Sequence, residues 1–254
     1  MIKPVYFMHI PKTAGTSINS YISQLFGNDE SRIVLQVENK EWQEPGFFDT
    51  YDFVSGHPRY HHLSAEYDFS RFFKFTVLRE PYHRLASFLV WFRTMADPDY
   101  PHFEDHSEVQ LAISYRLKAL DYASADDWKK FFDNLDPTSL DIFDNYQTRF
   151  FIQYPGFFKK VDESNFEEAL ETMNGFDLVG LSEELDSTLK LLARQLGAKA
   201  PADIPRENVA KDYAGLDISR PEIRELFEPF VRYDLKLYEI AEKRFAKETI
   251  VAAS

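Results

Sequence analysis

The hydrophobic positions of this chain alternate between short apolar runs and longer stretches with helical spacing. Val5–Ile10, which begins with the apolar run Val5 to Met8, predicts a buried strand, and Ser17–Phe26 predicts the helix behind it. Ile33–Val37 and Asp52–Ser55, the latter closed by Gly56, predict two more short strands. Phe73–Leu78 predicts a core strand with a helix over Pro81–Met95, where Pro81 suits the first turn because its missing N–H has no partner to lose. Ala96–His106, rich in Asp, Pro and His, reads as a loop. Helices are expected over Ser107–Leu120, Ala125–Asn134, Pro137–Ile152 and Glu163–Met173. Phe176–Leu181 reads as a buried strand and Ser182–Leu196 as a helix, with Ser182 as its cap and acids in its first turn. A Pro-containing loop over Ala198–Tyr213 leads to a long terminal helix over Pro221–Lys247. Strands alternating with helices imply a parallel sheet covered on both faces. The order predicts an α/β fold: a P-loop-like three-layer α/β/α arrangement with a central parallel sheet and helical insertions, in a single domain over residues 1–254.

Two strand-to-helix junctions carry the chemistry. The first reads His9-Ile10-Pro11-Lys12-Thr13-Ala14-Gly15-Thr16-Ser17. Backbone N–H groups at a helix N-terminus carry partial positive charge and suit a phosphate. Lys12 adds a full charge, Thr13, Thr16 and Ser17 add hydroxyls, and Gly15 lets the backbone approach closely. A Walker loop is a different arrangement, with its lysine after the second glycine and a metal-holding Asp at a neighbouring strand end. Here Lys12 precedes Gly15, and the neighbouring strand Phe73–Leu78 ends in Arg79, a cation that repels Mg²⁺ and attracts a second anion. That second junction runs Leu78-Arg79-Glu80-Pro81-Tyr82-His83-Arg84-Leu85-Ala86-Ser87, with Arg84 and Ser87 on the following helix. Two anion sites at strand-to-helix turns suit a nucleotide with phosphates at both ends of its ribose.

Composition narrows the partners. A net charge of −13 makes nucleic acid and anionic membranes poor partners, and requires cations to be concentrated locally around any anionic ligand. With no cysteine, disulfides, zinc thiolates and thiol catalysis are excluded. No secretory leader or integral membrane segment is legible, which gives the expectation of a soluble, cytoplasmic protein.

At this point the chain resembles a known family. His9 to Ser17 together with Arg79 to Ser87 looks like the 5′-phosphosulfate loop and 3′-phosphate site of sulfotransferases that use PAPS, 3′-phosphoadenosine 5′-phosphosulfate. Ser55-Gly56-His57, Asn145-Tyr146-Gln147-Thr148-Arg149-Phe150 and Phe176 to Glu183 resemble the carbohydrate branch that includes heparan sulfate 2-O-sulfotransferase. The resemblance implies PAPS as sulfuryl donor, adenosine 3′,5′-bisphosphate as product, no metal, and a hydroxyl-bearing small molecule or glycan as acceptor. It implies that Lys12, Thr13, Ala14, Gly15, Thr16 and Ser17 hold the 5′ end, and that Arg79, Arg84 and Ser87 hold the 3′-phosphate.

Sulfuryl transfer needs a cation beside the departing oxygen and a base on the acceptor hydroxyl. Lys12 is the candidate cation. His57 is the candidate base, with His61 and His62 as alternatives and as tentative acceptor ligands beside Arg149. His9 reads as support for Lys12, His83 as facing out of the site, and His102 and His106 as flanking the Asp-rich loop. The blander accounts are an Arg79–Glu80 ion pair, Arg84 paired with an acid, and Glu183 explained by its helix N-terminus. The rival functions are a P-loop nucleotide or small-molecule kinase, against which Arg79 argues, and a non-catalytic binder of a bisphosphate nucleotide.

Overall fold

The computed structural model describes residues 2–37, 46–65, 67–100, 106–153, 159–201 and 213–253. His102 and most of the stretch expected as a loop over Ala198–Tyr213 lie outside them. The first apolar run forms β1 (Val5–Met8), whose four side chains are at most 1% exposed. A strand apolar on both faces belongs inside a sheet, and β1 is its middle strand. β3 (Phe53–Gly56) and β4 (Phe73–Leu78) flank it; β2 (Ile33–Val37) and β5 (Leu178–Leu181) form the edges. The order is β2-β3-β1-β4-β5, all pairs parallel.

Register brings the carboxyl ends together. Met8 pairs with Gly56, and Leu78 with Leu181, so the residues after β1, β3, β4 and β5 emerge at one edge. The chain passes from β1 to β2 on one side and returns through β3. It then crosses β1 to reach β4. Open α/β sheets bind ligands in the crevice at such a switch point.

α1 (Gly15–Leu25), α2 (Tyr60–Ser64) and α3 (Pro81–Thr94) follow β1, β3 and β4. The insertion before β5 holds α4 (Glu108–Lys118), α5 (Ala125–Asp133), α6 (Leu140–Phe143) and α7 (Glu163–Asn174); α8 (Leu185–Gln195) and α9 (Pro221–Ala253) follow β5. The parallel sheet with helices around it is the expected three-layer α/β arrangement. One apolar core surrounds the strands, and a second joins α3, α4, α5 and α9 through Leu89, Leu117, Trp128 and Phe227. α9 serves both, with Phe227 in the second and Leu237 in the first. Among the described residues no helix is long and apolar enough to cross a membrane.

The expected helix over Pro137–Ile152 is corrected. The stretch breaks into a 3-10 turn (Pro137–Ser139), α6, Asn145 in the left-handed region (φ 44°) and a second 3-10 turn (Thr148–Phe150). Asn145 is drawn out of helical register by α9: its N–H donates to the Phe230 carbonyl at 2.7 Å, and its Oδ1 accepts from the Tyr233 N–H at 2.7 Å. Smaller shifts are that β1 stops at Met8, α1 starts at Gly15, and α8 starts at Leu185, beyond the expected Ser182 cap.

Candidate active site

β1 leaves the sheet into a loop that turns on two left-handed residues, Lys12 (φ 73°) and Ala14 (φ 69°). Each conformation costs a residue with a Cβ about 1–2 kcal/mol. Thr13 between them is fully buried, and its hydroxyl donates to the Ile10 carbonyl at 2.7 Å, so that side chain braces the loop itself. No side chain caps α1 and no acid lies in its first turn, so the positive end of the helix is not offset within that turn. Thr16 is exposed there and Ser17 is buried. Gly15 is required by packing: a Cβ built on it would stand 1.7 Å from His9 Nε2. The space that a side chain at Gly15 would take is filled by an imidazole.

β4 delivers Arg79 to the same edge. Its Nη1 donates to the Lys12 carbonyl at 3.1 Å, so the two turns touch, and its Nη2 donates to the Tyr213 hydroxyl at 3.1 Å. Glu80 does not pair with Arg79; it caps α3, accepting from the His83 N–H at 2.8 Å. Arg84 and Ser87 are buried on α3. The Arg84 guanidinium lies against the rings of Tyr146 and Phe88, 4.2 and 4.6 Å from their centroids. Its Nε and Nη2 have no hydrogen-bond partner among the described residues, and burial holds its pKa down at about 10. Burial, then the charges of Arg79 and Arg84, also lower the pKa of Lys12, whose Nζ stands 5.9 Å from the Trp91 ring centre. Three cations thus gather in a protein of net charge −13. A buried charge with unused donors is costly, and an anion offsets both the repulsion and the missing hydrogen bonds.

β3 ends at Gly56 and presents His57, whose Nδ1 lies 2.7 Å from the His9 carbonyl. A carbonyl only accepts, so Nδ1 carries the proton, and in the neutral ring Nε2 holds the lone pair. The two imidazoles stand 4.4 Å apart. Burial first, then His57, pushes the His9 pKa down to about 3, so His9 is neutral and adds no charge beside its neighbour.

The other expected ligands have these surroundings. His61 ties α2 to the insertion: its Nε2 is 2.9 Å from the Phe151 carbonyl and 3.1 Å from the Thr172 hydroxyl. His62 is exposed on α2. Arg149 is buried, with Nη2 on Asp144 Oδ2 at 2.7 Å and on the Lys159 carbonyl at 2.6 Å, Nη1 on Asp141 Oδ1 at 3.1 Å and Nε on the Asp144 carbonyl at 2.7 Å. These bonds make it a structural ion-pair residue. Glu183 accepts from the Glu80 N–H at 3.1 Å and the Tyr238 hydroxyl at 2.9 Å, joining α3 to α9. His83 is exposed, yet its Nδ1 lies 2.9 Å from the Tyr213 hydroxyl, so it adjoins the Arg79 cluster.

Sequence reasoning missed Tyr213 and the use made of Tyr146 and Gln147. Tyr213 stands beside a stretch with no periodic signal, and only the fold brings it to Arg79. The Asn-Tyr-Gln-Thr run was visible as a pattern, but its partners lie on β4, α3 and α9.

No curated protein gives a significant match to the chain. The protein-family model described as the Sulfotransferase family matches residues 3–241, which takes in the five described strands and the turns that carry Lys12 and Arg79. A match of that extent, on a sheet whose carboxyl edge gathers three cations, with buried Asp234 acting on Arg84 from behind, makes the chain a member of the Sulfotransferase family and a sulfotransferase enzyme.

Proposed function

We propose that this sulfotransferase moves the sulfuryl group of PAPS to a hydroxyl on a carbohydrate by direct in-line transfer, as in the heparan sulfate 2-O-sulfotransferase-like branch, and works in the cytoplasm, where PAPS is made. The observation that carries this reading is the bond from Arg79 Nη1 to the Lys12 carbonyl, which joins a lysine turn and an arginine turn at one locus. The N–H groups from Ala14 through Ser17, with Lys12 and the hydroxyls of Thr16 and Ser17, hold the 5′ end; Arg79, Arg84 and Ser87 hold the 3′-phosphate. The unpaired Nε and Nη2 of buried Arg84 fit that assignment. PAPS, when bound, supplies an activated sulfuryl group and a stable leaving bisphosphate. His57 takes the acceptor proton at Nε2, the ring being held in that tautomer by the His9 carbonyl. Lys12 sets its charge beside the oxygen on which negative charge builds. None of these roles calls for a metal ion.

Calorimetry with adenosine 3′,5′-bisphosphate, against ATP with Mg²⁺, tests the donor site. Mass spectrometry of a pyranoside panel incubated with PAPS tests transfer. Lys12→Ala and His57→Ala should each lower turnover by about 10²–10³-fold, with bisphosphate binding retained in His57→Ala. Absence of bisphosphate binding in the unaltered protein, or unchanged turnover in Lys12→Ala, overturns the reading.

A further inference from the structure

The Gln147 side chain holds one residue on both sides. Its Oε1 accepts from the Arg79 N–H at 2.9 Å, and its Nε2 donates to the Arg79 carbonyl at 2.9 Å. Arg79 is the first residue beyond β4, where the ladder no longer satisfies its peptide groups. Gln147 is itself buried and fixed from behind. Its N–H donates to Asp234 Oδ2 at 3.2 Å, while the N–H and hydroxyl of Thr148 both donate to Asp234 Oδ1 at 2.7 Å. Asp234 is buried on α9, one turn beyond Phe230 and next to Tyr233, and its own N–H also donates to Asn145 Oδ1 at 3.3 Å. Tyr146, between Asn145 and Gln147, lays its ring on Arg84. Four consecutive residues thus form a wedge driven from α9 into the back of the arginine turn, and it touches both of that turn's arginines.

We propose that Gln147 is a positioning residue for the nucleotide: by clamping the Arg79 peptide, it aims the guanidinium at the 3′-phosphate. The inference rests on the PAPS reading above. A group that merely satisfied a strand end would lower stability when lost and leave ligand preference alone. A positioning group changes how the protein distinguishes a nucleotide with a 3′-phosphate from one without it.

Gln147→Met keeps the side-chain volume and removes both bonds. Gln147→Asn, polar but one methylene short, serves if the first variant does not fold. Ser114→Ala, which loses a buried hydroxyl bond to the Phe92 carbonyl remote from the turn, is the control for stability. Calorimetry gives the affinities for adenosine 3′,5′-bisphosphate and adenosine 5′-phosphate, and urea unfolding gives the midpoint. In the Gln147 variants the preference for the bisphosphate should fall by about tenfold, with monophosphate affinity kept; Ser114→Ala should lower the midpoint and keep the preference. An unchanged preference in the Gln147 variants, or an equal loss for both nucleotides, overturns the inference while leaving the PAPS reading standing. An unaltered protein without preference overturns that reading, and the inference with it.

Discussion

At the scale of single residues, the loop after β1 is built from mutual exclusions. Gly15 has no side chain because the His9 imidazole occupies the place a Cβ would take. Gly15→Ala should therefore destabilise the fold by about 1–3 kcal/mol through overpacking, and His9→Ala in the same chain should recover part of the loss. Urea unfolding of the two single variants and the double variant checks this: a coupling of about 1 kcal/mol is expected, and additive losses would show that the contact does not dictate the glycine. The sequence pattern singled out Lys12, Gly15 and Arg79. It was silent on why Gly15 does, because the imidazole that meets it stands on the preceding strand end and arrives only when the loop closes.

At the scale of elements, strands and long helices were legible because their apolar runs and periodicities are local facts. The strand segments appeared where expected and shifted only at their ends. The stretch over Pro137–Ile152 misled because its apolar residues do fall at helical spacing, yet Phe143 serves one core and Phe150 and Phe151 the other. What breaks it comes from α9, far along the chain. Pro229 inside that helix lacks an N–H, and beside it Asn145 joins the helix's own bonding. The ion pairs of Arg149 were not legible for a similar reason: an arginine in a distinctive run looks alike whether it faces a ligand or Asp144. Asn145→Ala should cost about 1–3 kcal/mol by leaving the N–H groups of part-buried Tyr233 and buried Asp234 short of an acceptor. It should also weaken bisphosphate binding, since Gln147 follows two residues later. Thermal unfolding paired with nucleotide calorimetry reads both effects; a stability loss with unchanged binding would separate the wedge from the site.

At the scale of the whole molecule, two buried titrations act on stability in opposite directions. His9 has a pKa of about 3 in the fold against an ordinary 6.5, because burial and then His57 disfavour its charge. Between those values only the unfolded chain takes up the proton, so this group's contribution falls as pH drops, by about 1.4 kcal/mol per pH unit. Asp234 is raised by burial to about 6 from 3.8, against the lowering influence of Thr148 and Arg84. Between those values only the folded chain holds the proton, so its contribution grows as pH drops, at the same rate. From about pH 4 to 6 the two cancel. Asp234→Asn should uncover acid lability beginning near pH 6.5, and His9→Asn the reverse slope below pH 6; urea midpoints from pH 4.5 to 7 measure both. Identical pH profiles in all three proteins would show that other groups set the dependence. The guanidinium of Arg79, gripping the Lys12 peptide, makes the gap between the two turns a length fixed before any ligand arrives. On the proposed PAPS reading, such a gauge would sort nucleotides by span as well as by charge: one with equal charge on a shorter frame would seat at one turn and fall short of the other.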